Sequence, residues 1–135
     1  MSDEPKLFKA QLLTPEGALF DGEVKSVHLP GTMGPFKIFY NHAPIVSTMG
    51  IGSIEIEPAL EGRKIYAVTG GFAEMNKNVL TILAEKAEEK ATIDPAEART
   101  LRDSVKEQMR TTLMGWEKFE VELEIAENRL KIAEL

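Results

Sequence analysis

The sequence predicts an α+β fold, in which an N-terminal antiparallel β-sandwich is followed by a C-terminal antiparallel two-helix hairpin. Short apolar runs separated by glycine and proline fill the first part of the chain, which is typical of many short strands. After residue 86, Gly115 and Pro95 are the only such residues, and apolar positions recur every three or four residues. We therefore expect a sandwich domain over residues 1–86 and a helical domain over residues 87–135.

The predicted strands alternate as expected for a sheet with one buried face. In the segment SIEIE at 53–57, the isoleucines face one side and the glutamates the other. The segment TPEG at 14–17 predicts a turn, because proline presets the second turn position. The pattern predicts strands over residues 7–13, 24–29, 36–40, 45–49, 53–57, 64–68, 72–75 and 79–84.

Start and stop signals define the two helices. Asp94 is a good N-cap, Pro95 suits the first helical position, and Glu97 completes an arrangement like a capping box. Gly115 predicts the turn between the helices. The apolar seams are Ala98, Leu101, Val105, Met109 and Leu113, then Trp116, Phe119, Leu123, Ala126, Leu130 and Ala133. Three further residues widen the second helix's apolar surface, and they favour packing on the sandwich and binding of a partner equally: Val121, Ile125 and Ile132.

Composition excludes several classes of protein. The absence of cysteine among 135 residues rules out disulfides and thiol catalysis, and His28 and His42 have no metal-ligand spacing, so we expect no metal. A net charge of −6 without a basic run argues against a nucleic-acid partner. The polar start is neither a signal nor a transit peptide, and no stretch approaches the roughly 18 apolar residues of a membrane span. We expect a soluble protein that reaches a membrane only through partners.

Two segments resemble a known family. One is GPFKIFYNHAP at 34–44, followed by GIG at 50–52, and the other is VTGGFAE at 68–74, followed by NVLTILA at 78–84. Both are similar to the epsilon subunit of F-type ATP synthase, called delta in mitochondria. Its pattern is G-x-F-G-I-L-x-x-H-A-P, then G-G-F/I-x-E before a V-T-V-L-A strand. Lys37 and Asn41 stand at positions where many members of the family have glycine.

The resemblance implies a ten-stranded sandwich with a helical hairpin. It implies a non-catalytic subunit at the foot of the central rotor stalk, which binds the gamma subunit, rests on the ring of c subunits and couples rotation to ATP synthesis. In many bacterial relatives the hairpin extends into the alpha/beta catalytic head and inhibits ATP hydrolysis. The expected location is the cytoplasmic face of a bacterial plasma membrane, within the complex.

A docking surface is expected around the first of these segments. The segment carries several large apolar residues around a turn, and a turn this apolar is a suitable docking surface. The resemblance places its last three residues at the end that faces the c-ring. The alternative is that the histidine only caps a turn. The expected docking residues are Met33, Phe36, Phe39, Tyr40, His42, Ala43 and Pro44.

The start of the first helix resembles the nucleotide motif I/L-D-x-x-R-A of some bacterial relatives. Ile93, Asp94 and Ala98 match it, but Glu97 replaces the arginine and would repel phosphate, so we predict weak or no ATP binding and no cofactor. Regulatory contacts with the catalytic head are expected from the basic residues of the first helix, Arg99, Arg102, Lys106 and Arg110. The alternative, and the commoner meaning of charges spread over more than one helix face, is a solvated surface.

Two other classes of function compete with this reading. A generic adaptor would share the docking surfaces but would not bind gamma. A free-standing hydrolase would use His42 and a glutamate.

Overall fold

The computed structural model describes residues 6–135. The chain forms nine strands, a short 3₁₀ helix and two α-helices in the described residues. The strands are β1 (Phe8–Thr14), β2 (Gly17–Leu29), β3 (Phe36–Phe39), β4 (Ile45–Met49), β5 (Gly52–Pro58), β6 (Lys64–Val68), β7 (Gly71–Asn76), β8 (Val79–Ala84) and β9 (Ala87–Glu89). The 3₁₀ helix is Lys90–Thr92, and the helices are α1 (Pro95–Thr111) and α2 (Trp116–Ala133).

One continuous sheet makes both layers of the sandwich. The strand order is β4-β7-β8-β1-β2-β5-β6-β9, and β3 also pairs with β2. β2 is 13 residues long; its first half pairs with β1, and its second half pairs with β3 and β5. Because β2 takes part in both layers, the chain passes from one to the other without a break in this strand.

The core lies between the two layers. Ile54 and Ile56 of β5 are fully buried while Glu57 is exposed, as the alternation predicts. The largest fully buried side chains of the core come from seven strands, and they include Leu12, Val24, Val27, Leu29, Ile38, Ile54, Ile56, Tyr66, Met75, Leu80 and Ile82. Burial of this apolar surface is the main force that holds the layers together.

The observed sheet differs in three ways from the expected one. Nine strands are seen in residues 6–135 where ten were implied, since β2 runs unbroken from Gly17 and serves both layers. The pairing is antiparallel except between β1 and β8, which are parallel because a crossover through the other layer connects them. The sheet also continues to Glu89, past the expected boundary at 86, because β9 pairs with β6.

The hairpin begins and turns where the sequence predicts. The carboxylate of Asp94 accepts a hydrogen bond of 2.9 Å from the backbone N–H of Ala96, and Pro95 is the first residue of α1. Gly115 has a left-handed φ of 81°, which a glycine adopts without steric cost. α1 ends at Thr111, so Leu113 of the predicted seam lies in the connecting turn and is exposed.

A second, smaller apolar cluster joins the hairpin to the outer side of β6. It consists of Ala67, Ile93, Ala98, Leu130 and Ile132, with Ile65 and Ala133 packed against it. Ile132 therefore packs on the sandwich, whereas Val121, further from the C-terminus, is about half exposed. The side-chain amide of Asn128 adds a hydrogen bond of 2.9 Å to the carbonyl of Gly52.

Candidate docking surfaces

The loop between β3 and β4 carries Tyr40, His42, Ala43 and Pro44. The backbone N–H of His42 donates to the carbonyl of Phe39 at 3.2 Å, and its Nδ1 donates to the carbonyl of Ala43 at 2.8 Å. The imidazole is thus held by its own loop, in agreement with a turn-capping role. Ala43 and Pro44 are exposed. The loop presents a small apolar surface whose shape is set by hydrogen bonds.

A reciprocal pair of amides fixes this loop to the β7–β8 turn. The backbone N–H of Asn41 donates to Oδ1 of Asn78 at 2.7 Å, and Nδ2 of Asn78 donates to Oδ1 of Asn41 at 2.9 Å. Both residues have a positive φ, of 63° and 61°. Nearby, the ammonium of Lys6 lies 5.5 Å from the centre of the Tyr40 ring, within cation–π range.

The remaining predicted docking residues are not continuous with this loop. Met33 is fully exposed in the loop before β3, so it lies at the opposite end of this strand from His42. Phe36 is partly buried and packs against the main core. Phe39 is about half exposed on β3. The predicted segment therefore splits into two loops and a strand, and only the second loop brings several of its residues together.

The sequence analysis missed an apolar surface on the outer face of the β4-β7-β8-β1 layer. Phe72 and Leu83 are neighbours across β7 and β8, Leu13 of β1 is in register with Leu83, and Val46 lies on the adjacent β4. Phe72, Leu83 and Val46 are 54%, 44% and 74% exposed. We call these four residues the outer apolar face. The signal in the sequence was the run ILA at 82–84, which lacks the alternation of a strand with one wet face.

The basic residues of α1 are mostly paired within the hairpin. Arg99 contacts Glu134 of the C-terminus at 2.8 Å, Arg102 contacts Asp103 at 2.9 Å, and Arg110 contacts Glu107 at 2.6 Å. Lys106 is exposed between them on α1. Such surface pairs are weak and exchange readily for other partners, so these cations stay candidate contacts for an acidic surface.

The residues that match the nucleotide motif have structural roles. Ile93 and Ala98 are buried in the cluster between hairpin and sandwich, and Asp94 caps α1. Glu97 stands where the motif has a positively charged arginine. Its carboxylate accepts a hydrogen bond of 3.1 Å from Arg129. These side chains are therefore already engaged with the protein itself.

Arg129 of α2 is the centre of a network that sequence reasoning did not find. Its Nε and Nη2 donate to the two carboxylate oxygens of Glu88 on β9, at 2.6 and 3.1 Å, and Nη2 also donates to Glu97 of α1. The hydrogen bond to Glu88 is the main cause that raises the pKa of Arg129, with Glu97 contributing and burial opposing. We call these three residues the Arg129 network.

The described residues lack the features of two other types of site. Between residues 6 and 135, no three histidine or acidic side chains lie close enough to hold a metal ion. Neither of the helices is long and apolar enough to cross a membrane. The architecture is that of a β-sandwich with a helical hairpin packed on one face.

Comparison with known proteins gives the family. The family described as ATP synthase, delta/epsilon chain, β-sandwich domain matches residues 7–90. The chain belongs to this family of ATP synthase subunits, and the resemblance seen in its sequence is confirmed. An epsilon chain of the ATP synthase of Leptospira interrogans is 43% identical over 86 residues, which cover 64% of this chain and 67% of the relative.

Other relatives extend the match into the hairpin. The chloroplastic ATP synthase epsilon chain of Pelargonium hortorum is 35% identical over 122 residues, 89% of this chain and 91% of the relative. A chain of the mitochondrial ATP synthase of Euglena gracilis, solved with OSCP, F1 and the c-ring, has a TM-score of 0.84 at 20% identity and covers 99% of this chain and 85% of its own length. This last match shows that sandwich and hairpin occur together in a solved fold.

Proposed function

We propose that the chain is a central-stalk subunit of an F-type ATP synthase, that it binds gamma and the c-ring, and that it couples rotation of the ring to ATP synthesis. The observation that carries the proposal is the outer apolar face, in which the exposed Leu83 and Phe72 lie beside the partly buried Leu13 on the domain that matches the family. Water-exposed side chains of this size in one row favour burial by another protein. Support comes from the similar folds, which belong to solved mitochondrial ATP synthase assemblies that contain the c-ring with F1 or with the central stalk.

The two surfaces suit two partners. The outer apolar face is broad and lies on a sheet, and we assign it to gamma. The loop with Tyr40, His42, Ala43 and Pro44 is small and rigidly held, and we assign it to the polar end of the c-ring, through which the chain is attached to the cytoplasmic face of a bacterial membrane. The chain carries no reaction chemistry in this proposal, so His42→Ala weakens ring attachment and leaves the catalytic subunits able to hydrolyse ATP.

Co-purification with gamma tests the assignment of the outer apolar face. Leu83→Glu places a charge in the buried centre of the interface and is expected to weaken gamma binding at least about tenfold. Leu60→Glu is the matched control, because Leu60 is an exposed leucine in the loop between β5 and β6. Unchanged gamma binding by Leu83→Glu, or equal losses in both variants, would contradict the assignment.

The hairpin is proposed to regulate hydrolysis by leaving the sandwich and contacting gamma and the alpha/beta head through Arg99, Arg102, Lys106 and Arg110. Support comes from the small apolar cluster that attaches it and from the exposed pairs of its cations.

ATP is not expected to stabilise the folded hairpin. Glu97 and Glu88 surround Arg129 with more negative than positive charge, which disfavours a phosphate group. Isothermal titration of the isolated chain with Mg-ATP is expected to show no binding below millimolar concentration, and submillimolar binding would refute this.

A further inference from the structure

The attachment of the hairpin to the sandwich is concentrated at one end of the hairpin, where the start of α1 meets the C-terminal part of α2. The larger apolar side chains of the joint are Ile65, Ile93, Leu130 and Ile132, and its other residues are alanines. The central and distal parts of the hairpin extend past this joint, up to the exposed Leu113. Because buried area sets the apolar contribution, this small cluster stabilises docking less than the much larger main core stabilises the sandwich. Polar contacts at the joint add to this limited apolar contribution and help to keep the hairpin docked.

The Arg129 network is the strongest of these polar contacts. The side chain of Arg129 is 14% exposed, and Glu88 receives it as a fork of two hydrogen bonds. Within residues 6–135, the pair with Glu88 is the only ion pair between the hairpin and the sheet. The contact of the same guanidinium with Glu97 ties α1 to α2 at the same point.

We propose that Arg129, Glu88 and Glu97 form a latch that holds the hairpin folded on the sandwich, and that breaking this latch is the step that releases the hairpin. The release is a property of the isolated chain; its effect on ATP hydrolysis rests on the proposed function. The latch supplies its own charges, since one cation faces two carboxylates. Docking consequently needs no bound anion.

The partial burial of Arg129 makes the latch an effective switch. When the hairpin leaves, all three groups regain water, so the released state pays no penalty for an unpaired charge. When only one carboxylate is removed, the mostly buried guanidinium keeps a single partner, which destabilises the docked state alone. Loss of Glu88 removes the ion pair between the hairpin and the sheet, whereas loss of Glu97 removes only an ion pair between the two helices. The two carboxylates thus have different predicted effects.

Distances in the full chain test the latch. Because the chain has no cysteine, Leu60→Cys and Leu113→Cys give two labelling positions, one in the β5–β6 loop and one at the hairpin tip, both 98% exposed. Pulsed electron spin resonance on the doubly labelled chain is expected to show one main distance. Glu88→Gln is expected to raise the undocked population about fivefold or more, and Arg129→Gln to do the same.

The control is the neighbouring pair of Arg99 with Glu134, which also links the hairpin but is about half exposed on both sides. Arg99→Gln is expected to leave the distance distribution unchanged, since exposed pairs contribute little. The double variant of Glu88 and Arg129 is expected to undock no more than either single one, because both lose the same contact. Hydrogen exchange of the β6 amides verifies that the sandwich stays folded.

The outcomes separate the latch from the proposed function. An unchanged distance distribution in both Glu88→Gln and Arg129→Gln, or an equal effect of Arg99→Gln, overturns the latch. If the variants undock as expected but the chain does not bind gamma, the latch proposal stands and the proposed function is wrong.

Discussion

Asn41 occupies a position where many relatives have glycine, and the structure gives the physical reason why it is accepted. Its φ of 63° is left-handed, a conformation that asparagine tolerates better than most residues. The reciprocal hydrogen bonds with Asn78 offset the remaining strain. Asn41, which departs from the family pattern, is thus stabilised in its loop by Asn78, 37 positions away.

Tyr66 is the other residue whose surroundings matter for stability. It is almost completely buried, and its hydroxyl has no hydrogen-bond partner in the part of the chain that the structure describes. Burial raises the pKa of Tyr66 to about 12, and the charges of Glu89 and Glu61 add to the shift. A neutral phenol is thus favoured in the folded state up to high pH.

The pKa of Tyr66 predicts how stability changes in alkali. Above pH 10, the ordinary pKa of tyrosine, the unfolded chain loses this proton first, so the free energy of unfolding falls as pH rises towards 12. We expect the titration of Tyr66 to lower the free energy of unfolding by roughly 2–3 kcal/mol between pH 10 and 12. Tyr66→Phe is expected to abolish this loss of stability in alkali. The substitution is expected to change the stability little at neutral pH, since the hydroxyl that it removes has no hydrogen-bond partner in the described residues. Urea unfolding of both proteins at pH 8 and 11 measures the difference; parallel losses would disprove it.

At the scale of elements, β2 and α1 show different degrees of local control. α1 begins where its cap predicts, because capping depends only on residues next to each other. β2 extends through residues 17–23, where the sequence predicts no strand, because β1 supplies hydrogen-bond partners along its whole first half. Local chemistry determines the helix boundary, and pairing with a neighbour determines the length of the strand.

The cap of α1 provides a prediction at this scale. Asp94→Ala is expected to cost about 1 kcal/mol of stability, because the backbone N–H of Ala96 loses its acceptor. Asp94→Asn is the control and is expected to retain most of it, since the amide oxygen still accepts. The measurement is chemical unfolding followed by helical circular dichroism. Equal stability of Asp94→Ala and the wild type would show that the cap contributes nothing.

At the scale of the whole molecule, the sandwich and the hairpin have separate apolar clusters. The main core draws on eight of the nine strands and on no helical residue, so the sandwich is expected to fold without the hairpin. The hairpin is held by its internal seam, by the small cluster on β6 and by the polar contacts of Asn128 and Arg129, so it is the part with the lower stability. This division fits a rotor-binding module with a movable regulator.

Truncation tests that division in the assembled enzyme. A chain ending at residue 90 keeps β9 and both proposed docking surfaces and is expected to bind gamma as tightly as the full chain. ATP hydrolysis of the reconstituted complex is expected to rise severalfold, because the proposed inhibitory element is removed. A chain lacking only residues 128–135 serves as comparison, since it loses the docking end of α2 and keeps the rest. No rise in hydrolysis with the first chain would remove the inhibitory role.

The predictable part of the site was the part carried by neighbouring residues. The segment 34–44 was identified from its motif, and the cap at Asp94 from its spacing. The outer apolar face was missed because Val46, Phe72 and Leu83 are far apart in sequence and become neighbours only through strand order. Met33 and His42 were grouped since they are close in sequence, although β3 separates them.

The sequence by itself determined the two-part architecture, the helix start, the glycine turn and the family, because each depends on periodicity or on adjacent residues. Only the tertiary structure decided which distant groups meet: Asn41 with Asn78, and Arg129 with Glu88, 41 positions away. The physical reason is that such partners are selected by strand register and by how the hairpin packs on β6, and neither is encoded in a local pattern.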